Sequence, residues 1–302
     1  MIVSFVFGAG ARRSMFLLTI DQYCHIPGAP FLCSAQRIPY GERMEDRAQR
    51  SRLWSNETAS RYWWHRLPGM NFVPPIYSDL SEEEWAIVSD WYAETDRAGE
   101  VGEVAVPLVS LLQGFVLGNR AARIVQLGTH AGYSSILLGF MLRRMNAPRG
   151  LFTLEIDSHF CAIARDWLRR AGLQGFVEVA ERNSLDPASV AAAIEYLGGA
   201  PELIVIDSSH EYGATRRELD LWYASLEPGG LLVVHDVSRF AQNFDVTEGG
   251  GVRRAFDEWR TANPAAETFL LNGEARSMDL PQPFYKDACG LGLIHKLASS
   301  PR

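Results

Sequence analysis

The chain of 302 residues is 47% hydrophobic and 22% charged, which predicts a packed core in one large α/β domain with an extension. Its formal net charge of -7 argues against nucleic-acid binding, because that function needs a basic face. No apolar run approaches the ~20 residues that a membrane span needs, and the four cysteines are scattered without a CxxC pair. We therefore expect a cytoplasmic protein without a membrane span, a disulfide framework or structural zinc.

Residues 21–80 hold many turn-forming residues and few periodic runs, and we interpret residues 1–80 as an N-terminal, largely helical extension. Residues 1–43 are either a disordered arm or sequence upstream of a true start at Met44. The aromatic run 61–65 is interpreted as an anchor that packs the extension onto the domain or onto a second subunit; the alternative is a lining of the substrate pocket. A homo-oligomer formed through this extension is therefore one expected assembly.

A single domain is predicted for residues 81–300. Ser81 has the pattern of a helix N-cap, and the three glutamates that follow it suit the positive end of the helix dipole. A second helix is predicted from about residue 104 to residue 117. Seven short apolar runs, with helical patterns between the first five, then predict the strands of one sheet. These runs are residues 124–127, 151–156, 176–180, 203–206, 231–234, 268–271 and 291–295.

Four polar side chains follow two of these strands, at the point where each strand ends. Asp207 directly follows the fourth predicted strand, and His210 comes three residues later. His235 and Asp236 follow the fifth strand. Because ligands bind outside the carboxyl ends of parallel strands, these side chains are predicted to converge on one crevice. The glycines 249–251 predict a flexible loop beside it.

A glycine-bearing turn, residues 128–135, separates the first predicted strand from the next helix, at the place where a nucleotide-like ligand can meet the backbone. Glu155 lies 23 residues beyond Gly132, near the ~20-residue offset of an acid that binds ribose hydroxyls. The same features suit a dinucleotide-dependent oxidoreductase, although the turn lacks GxGxxG spacing and no separate substrate domain is evident. A third alternative is a non-catalytic scaffold that keeps the fold without the chemistry.

The segment 125–134, Val-Gln-Leu-Gly-Thr-His-Ala-Gly-Tyr-Ser, resembles the first motif of class I S-adenosylmethionine-dependent methyltransferases, and residues 154–157 resemble their second, acidic motif. The pattern is similar to the catechol O-methyltransferase type and to macrolide-sugar and cephalosporin-type O-methyltransferases, over residues 103–296. The resemblance implies a Rossmann-like, doubly wound sheet of seven mostly parallel strands with an antiparallel final strand. It also implies S-adenosyl-L-methionine as cofactor and O-methylation of a small hydroxylated acceptor. The aromatic-rich extension and the glycines 249–251 indicate that this acceptor is a bulky one, such as an intermediate of secondary metabolism.

The same resemblance implies the cofactor contacts. Gly128, Thr129 and Gly132 bring backbone close to the methionine part of the cofactor, and Ser134 holds its carboxylate at a helix start. Glu155 accepts hydrogen bonds from both ribose hydroxyls. The remaining contacts that it implies are Gln126, Tyr133, Asn183 and Asp207, with Arg182, Asn183 or Ser184 bordering the adenine.

By the same resemblance, His210 occupies the place of the family's general base, and Asp207 is a second catalytic residue that faces the metal or the sulfonium end of the cofactor. Asp236 is the second carboxylate of the metal site. Two departures from the family pattern alter this set: Gln126 replaces an acid usual at the end of the first strand, and His235 replaces a carboxylate. Mg²⁺ prefers oxygen ligands, whereas a histidine suits a transition metal. Metal dependence therefore stays open. Asp207, His235 and Asp236 either bind Mg²⁺ or another divalent ion, or they position the acceptor through hydrogen bonds.

Overall fold

The computed structural model describes residues 73–276 and 284–298. Its helices are α1 (Pro75–Ser78), α2 (Glu82–Ala98), α3 (Val106–Asn119), α4 (Tyr133–Arg144), α5 (Ser158–Arg170), α6 (Pro187–Leu197), α7 (Tyr212–Ser225) and α8 (Gly251–Ala262), with a 3₁₀ turn at Ala241–Phe244. Its strands are β1 (Ile124–Leu127), β2 (Leu151–Glu155), β3 (Val177–Glu181), β4 (Leu203–Ile206), β5 (Leu231–His235), β6 (Glu267–Leu271) and β7 (Leu291–His295). The predictions for residues 1–72, among them the helical extension, the start at Met44 and the aromatic run 61–65, lie outside the described residues.

The seven strands form one sheet in the order β3-β2-β1-β4-β5-β7-β6. Strands β1 to β5 are parallel, whereas β7 runs antiparallel to both β5 and β6. The predicted doubly wound, Rossmann-like sheet with its antiparallel final strand is thus confirmed. Since β1 lies between β2 and β4, the order of the strands reverses at this point, and a ligand crevice is expected at the carboxyl ends of β1 and β4.

The sheet is covered on both faces, which explains why its central strands are continuous apolar runs. All four residues of β1 and of β4 are buried. Helices α2 to α5 cover one face, where Trp91 and Phe140 are almost fully buried. Helices α6 to α8 cover the other face, around Trp222 and Trp259. Because both cores are close-packed, the loops at the carboxyl ends of the strands start from rigid positions.

Helix α2 begins as predicted after Ser81, whose hydroxyl accepts from the amide of Glu84 while the Glu84 carboxylate accepts from the amide of Ser81. Its buried face includes Trp91, whose indole N–H donates to the carbonyl of Ala131 at 2.7 Å. Helix α2 therefore supports the loop that follows β1. Among the described helices, none combines the length and the apolar character needed to cross a membrane.

The glycines 249–251 lead into helix α8, which corrects the prediction of a flexible loop. Gly250 is the N-cap, with a φ of 100° that favours glycine, and Gly251 is the first helical residue. The buried carboxylate of Asp245 accepts from the amide of Gly251 at 2.8 Å and from the amide of Tyr212 at 3.1 Å. These bonds attach the start of α8 to the start of α7, so the segment is anchored beside the crevice.

Candidate active site

The loops after β1 and β4 meet at the carboxyl edge of the sheet. Gly128 directly follows β1 and has a φ of 89°. A Cβ at this position would lie 2.0 Å from the backbone oxygen of Asp207, so only glycine permits the approach of the two loops. The predicted turn and the predicted crevice residue Asp207 are therefore direct neighbours.

Gln126 supports this turn from inside the protein. It is 2% exposed, and its amide nitrogen donates to the carbonyl of Gly128 at 2.7 Å and to the hydroxyl of Ser134 at 2.9 Å. Its amide oxygen accepts from the hydroxyl of Ser135 at 3.0 Å. Since these bonds engage both ends of the amide, Gln126 shapes the connection from β1 into α4, and its contact with a cofactor stays a prediction.

Helix α4 begins at Tyr133 after an N-cap glycine, Gly132, which has a φ of 90° and no side chain to cap the helix. The first amides of α4 therefore present N–H groups to a negatively charged ligand at the positive end of the helix dipole. The Tyr133 side chain is buried, and its hydroxyl bonds that of Tyr77, which lies 3.3 Å from the hydroxyl of Tyr92. A contact of Tyr133 with a ligand in the crevice would thus use its backbone.

Glu155 ends β2, and both oxygens of its carboxylate accept hydrogen bonds. Oε2 accepts from the amides of Thr129 at 3.2 Å and His130 at 2.8 Å, and Oε1 accepts from the amides of Ile156 at 2.9 Å and Asp157 at 3.0 Å. A carboxylate offers about four lone-pair sites. Glu155 is therefore held in a defined position, and the hydroxyls of a bound ribose would share its oxygens with these amides.

Two further residues predicted to contact the cofactor lie on either side of Glu155. Thr129 is buried, its hydroxyl bonds that of Thr153 at 2.6 Å, and its amide donates to Glu155, so its contact with a cofactor stays a prediction. Asn183 is exposed in the loop after β3, where its side-chain oxygen accepts from the amide of Leu185 at 2.8 Å. In the sheet β2 and β1 separate β3 from β4, so the loops of Asn183 and Asp207 leave strands that are not neighbours.

The four polar side chains at the ends of β4 and β5 meet around Asp236. Its Oδ2 lies 3.0 Å from Nε2 of His210 and 3.4 Å from Nδ1 of His235. The same Nδ1 lies 3.1 Å from Oδ1 of Asp207. Asp236 has a φ of 60°, an uncommon conformation for a residue with a side chain and one that recurs at functional sites. The predicted convergence of these side chains is found in the structure; their chemical roles stay predictions.

Asp287 belongs to the same cluster, although sequence patterns did not point to it. It is 4% exposed, and its Oδ2 lies 2.9 Å from Nε2 of His235. It comes from the connection before β7, which no motif marks. His235 therefore contacts carboxylates through both ring nitrogens.

The charges of this cluster shift the pKa values of its members. Burial lowers the pKa of His235, but the charges of Asp236, Asp287 and Asp207 outweigh it and hold this pKa well above its usual value. Burial also lowers the pKa of His210, and Asp236 and Asp207 again produce a net rise. Burial raises the pKa of Asp236, but the two histidines hold it far below its usual range. The cluster is thus a set of mutually stabilised positive and negative charges.

The donor atoms that could hold a divalent metal ion differ from the predicted set Asp207, His235 and Asp236, because His210 stands in place of His235. One ligand atom each from Asp207, His210 and Asp236 lies within 4.8 Å of the others. His235 directs Nδ1 to the carboxylate of Asp207 and Nε2 to that of Asp287. In metal sites, an imidazole that binds the ion through one nitrogen is oriented by a carboxylate at its other nitrogen. Carboxylates combined with imidazole suit a transition metal better than Mg²⁺. The same geometry also suits a protonated His235 that donates to a carboxylate from each ring nitrogen.

Two phenylalanines lie beside His210. The rings of His210 and Phe244 are 5.4 Å apart, and Phe240 packs edge-on against Phe244 at 5.4 Å. Both phenylalanines come from the segment between β5 and α8, which Asp245 attaches to α7. The side chain of His210 is 40% exposed, so its imidazole is accessible next to an apolar, aromatic surface.

Comparison with known proteins agrees with this fold. Residues 125–237 match a family model described as a methyltransferase domain. A catechol O-methyltransferase of Niastella koreensis is 32% identical over 189 residues, which cover 59% of this chain and 81% of that protein. A catechol O-methyltransferase of Mycobacterium tuberculosis is 29% identical over 188 residues, which cover 60% of this chain and 74% of that protein. The crystal structure of the O-methyltransferase from Bacillus cereus in complex with SAH is similar with a TM-score of 0.56 at 22% identity, over 70% of this chain and 90% of that chain.

The chain belongs to the class I S-adenosylmethionine-dependent O-methyltransferases. The family that the motifs 125–134 and 154–157 resemble is thereby confirmed, and the dinucleotide-dependent oxidoreductase is not supported. The segment that matches the family model begins in β1 and ends two residues after β5, so it includes Asp207 and His210 but not Asp287.

Proposed function

We propose that this enzyme transfers the methyl group of S-adenosyl-L-methionine to a hydroxyl of a small aromatic acceptor, with His210 as the general base. The observation that carries the proposal is the 3.0 Å contact between Nε2 of His210 and Oδ2 of Asp236, next to an aromatic surface. Methyl transfer to oxygen needs a group that accepts the hydroxyl proton and a scaffold that holds the two reactants in line. The crevice offers both.

Asp236 orients His210 for this role. When Nε2 donates its hydrogen to Asp236, the neutral imidazole carries its lone pair on Nδ1, and Nδ1 accepts the proton of the acceptor hydroxyl. The carboxylate then stabilises the imidazolium that forms. Burial lowers the pKa of His210, but the charges of Asp236 and Asp207 raise it overall, which strengthens His210 as a proton acceptor.

For the acceptor we propose a hydroxylated aromatic ring that packs against Phe244 and Phe240. This orientation would direct a ring hydroxyl toward His210, whose own ring lies 5.4 Å from that of Phe244. Two relatives of this chain are named catechol O-methyltransferases, which supports an acceptor of this class. An intermediate of secondary metabolism is the kind of small molecule that we propose.

For the cofactor we propose a position across the turn after β1. Gly128 and Gly132 would let the backbone approach its methionine part, and the first amides of α4 with Ser134 would bind its carboxylate. Glu155 would accept its ribose hydroxyls, and Asn183 would border its adenine. When bound, the cofactor supplies an electrophilic methyl group; the residues of the chain bind and orient it beside Asp207.

A divalent ion is a further component that we propose for the site, held by Asp207, His235 and Asp236. Such an ion would lower the pKa of a nearby acceptor hydroxyl and so complement the base. The mixture of two carboxylates and an imidazole supports a transition metal over Mg²⁺.

The test is formation of S-adenosylhomocysteine from S-adenosyl-L-methionine with catechols and other hydroxylated aromatic compounds as acceptors. His210→Ala is expected to lower kcat about 10²–10⁴-fold, the usual contribution of general-base catalysis, without changing cofactor affinity in calorimetry. His295→Ala removes an exposed histidine paired with Glu267 and is the matched control. Wild-type turnover by the His210 variant, where chemistry limits the rate, would assign the proton transfer to another group.

A further inference from the structure

Helix α7 carries a buried carboxylate that the proposed chemistry does not use. Glu218 is 1% exposed and lies on the buried face of the helix with Leu219 and Trp222. None of the ion pairs found in residues 73–276 and 284–298 includes it, and burial raises its pKa to about 7. Burying a carboxylate without a cation in direct contact is costly, and the charge of His210 offsets only part of this cost, which indicates a role other than packing.

The hydrogen-bond partners of Glu218 are two serines from different loops. Ser208 follows Asp207 in the loop after β4, and its hydroxyl donates to the two oxygens of Glu218, at 2.7 and 2.8 Å. Ser184 follows Asn183 in the loop after β3, and its hydroxyl donates to Oε1 of Glu218. Strands β2 and β1 separate β3 from β4 in the sheet. One carboxylate therefore bridges two loops that leave distant strands.

Two neighbours of Glu218 on α7 hold the same loops separately. The indole N–H of Trp222, one turn later, donates to the carbonyl of Ser184 at 2.9 Å. The hydroxyl of Thr215, about one turn earlier, donates to the carbonyl of Ser209 at 3.2 Å. Among these three α7 residues, Glu218 alone contacts both loops, so it sets their relative position.

We propose that Glu218 is a positioning residue for methyl transfer, which fixes the loop bordering the adenine at Ser184 relative to the loop bearing the base at Ser208. The inference rests on the proposed function, since that function gives the two loops their roles. A carboxylate suits this position because Oε1 accepts from both serines and Oε2 accepts from Ser208, whereas a glutamine offers one oxygen and directs an NH₂ group at a serine hydroxyl. Displacement of reacting groups by ~1 Å can slow a reaction about 10²-fold.

The first arm of the test is Glu218→Gln, which keeps the size of the side chain. With acceptor and cofactor saturating, kcat is expected to fall about tenfold or more, equivalent to about 1.4 kcal/mol. Asp220→Asn is the matched control, because Asp220 is an exposed acid on the same helix, paired with Arg216, and wild-type kcat is expected. Circular dichroism and melting temperature verify that both variants are folded.

The second arm separates positioning from general stabilisation of the fold. Ser184→Ala is expected to lower kcat, although Ser184 lies on the adenine side. Ser208→Ala is expected to weaken S-adenosylhomocysteine binding, although Ser208 lies on the base side. Each substitution thus has a cross-effect on the function of the other loop. Both cross-effects should vanish when the serine substitutions are made in the Glu218→Gln variant, because the carboxylate of Glu218 couples the two loops. Wild-type kcat in Glu218→Gln, or cross-effects that persist in that background, would overturn the inference. A wild-type protein that neither binds S-adenosylhomocysteine nor produces it would instead overturn the proposed function.

Discussion

Nε2 of His235 lies 2.9 Å from Oδ2 of Asp287, a residue 52 positions later in the chain. The antiparallel pairing of β7 with β5 brings the segment before β7 next to His235, and there Asp287 also accepts from the amide of Cys289 at 3.0 Å. The charged cluster is therefore completed by a residue outside the segment 125–237 that matches the methyltransferase model. Asp287 is the group that orients His235 on the side facing away from Asp207.

We expect Asp287→Asn to lower kcat by about tenfold, because hydrogen bonds to charged groups contribute about 1.5–3 kcal/mol and the neutral amide holds the imidazole less firmly. Cofactor affinity should not change, since Asp287 contacts His235 and not the turn after β1. Steady-state kinetics measures the effect. Asp166→Asn, which removes an exposed acid paired with Arg169, is the control. Equal kcat in the Asp287 variant and the wild type would show that His235 is held by its other contacts.

Two contributions of Glu155 to cofactor binding can be tested separately: its contact with the ribose hydroxyls and its support of the loop after β1. We expect Glu155→Gln to weaken S-adenosylhomocysteine binding by about 2 kcal/mol in calorimetry. Part of this loss comes from the hydrogen bonds that the amides of Thr129 and His130 donate to the carboxylate. A 2′-deoxy analogue should bind the wild type more weakly than the parent compound does, and should bind the variant almost as well as the parent. Glu178→Gln, at an exposed position of β3, is the control. An equal loss for the analogue in both proteins would remove Glu155 from the ribose site.

The donor set of the cluster predicts its metal preference. We expect Co²⁺ to bind more tightly than Mg²⁺, because Asp207, His235 and Asp236 combine carboxylates with an imidazole. The visible absorption of Co²⁺ during titration measures binding, and Asp236→Asn should abolish the signal whereas Asp257→Asn on α8 should not. If Co²⁺ gives no specific signal, or gives one that persists in the Asp236 variant, these residues act through hydrogen bonds alone.

The strands and the crevice could be predicted from the sequence because both depend on local patterns. Strands β1 and β4 are continuous apolar runs, and such runs form buried parallel strands. Asp207 and Asp236 directly follow two of these strands, and the carboxyl ends of parallel strands share one edge. Topology then brings their side chains together without further information.

Side-chain directions and distant neighbours could not be predicted in this way. Tyr133 stands inside the first motif, yet its hydroxyl bonds that of Tyr77, which lies 56 positions earlier in α1. Asp287 reaches His235 only through the pairing of β7 with β5. Glu218 did leave a signal in the sequence, since it stands four residues before Trp222 and so shares a helix face with a large apolar side chain.

The buried position of Glu218 makes stability depend on pH. Burial raises its pKa to about 7, because the opposing effects of the Ser184 and Ser208 hydrogen bonds and of the His210 charge are smaller. In the unfolded chain the carboxyl returns to its ordinary pKa of 4.5. Between these values the folded protein holds a proton that the unfolded chain has lost, so the free energy of unfolding falls as pH rises. The contribution of Glu218 to this fall is on the order of 3 kcal/mol.

Glu218→Gln has no titrating group at this position, so we expect it to gain stability relative to the wild type as pH rises from about 5 to about 8. Urea unfolding across this range measures the difference between the two proteins, in which the titration of all other groups cancels. For Asp220→Asn, which alters an exposed acid of the same helix, the difference from the wild type should stay constant. A constant difference for Glu218→Gln would mean that the carboxyl is ionised throughout the range and that its burial carries little cost. If Glu218 positions the two loops and does not stabilise the fold, we expect the Glu218→Gln variant to be more stable than the wild type above neutral pH and slower in methyl transfer.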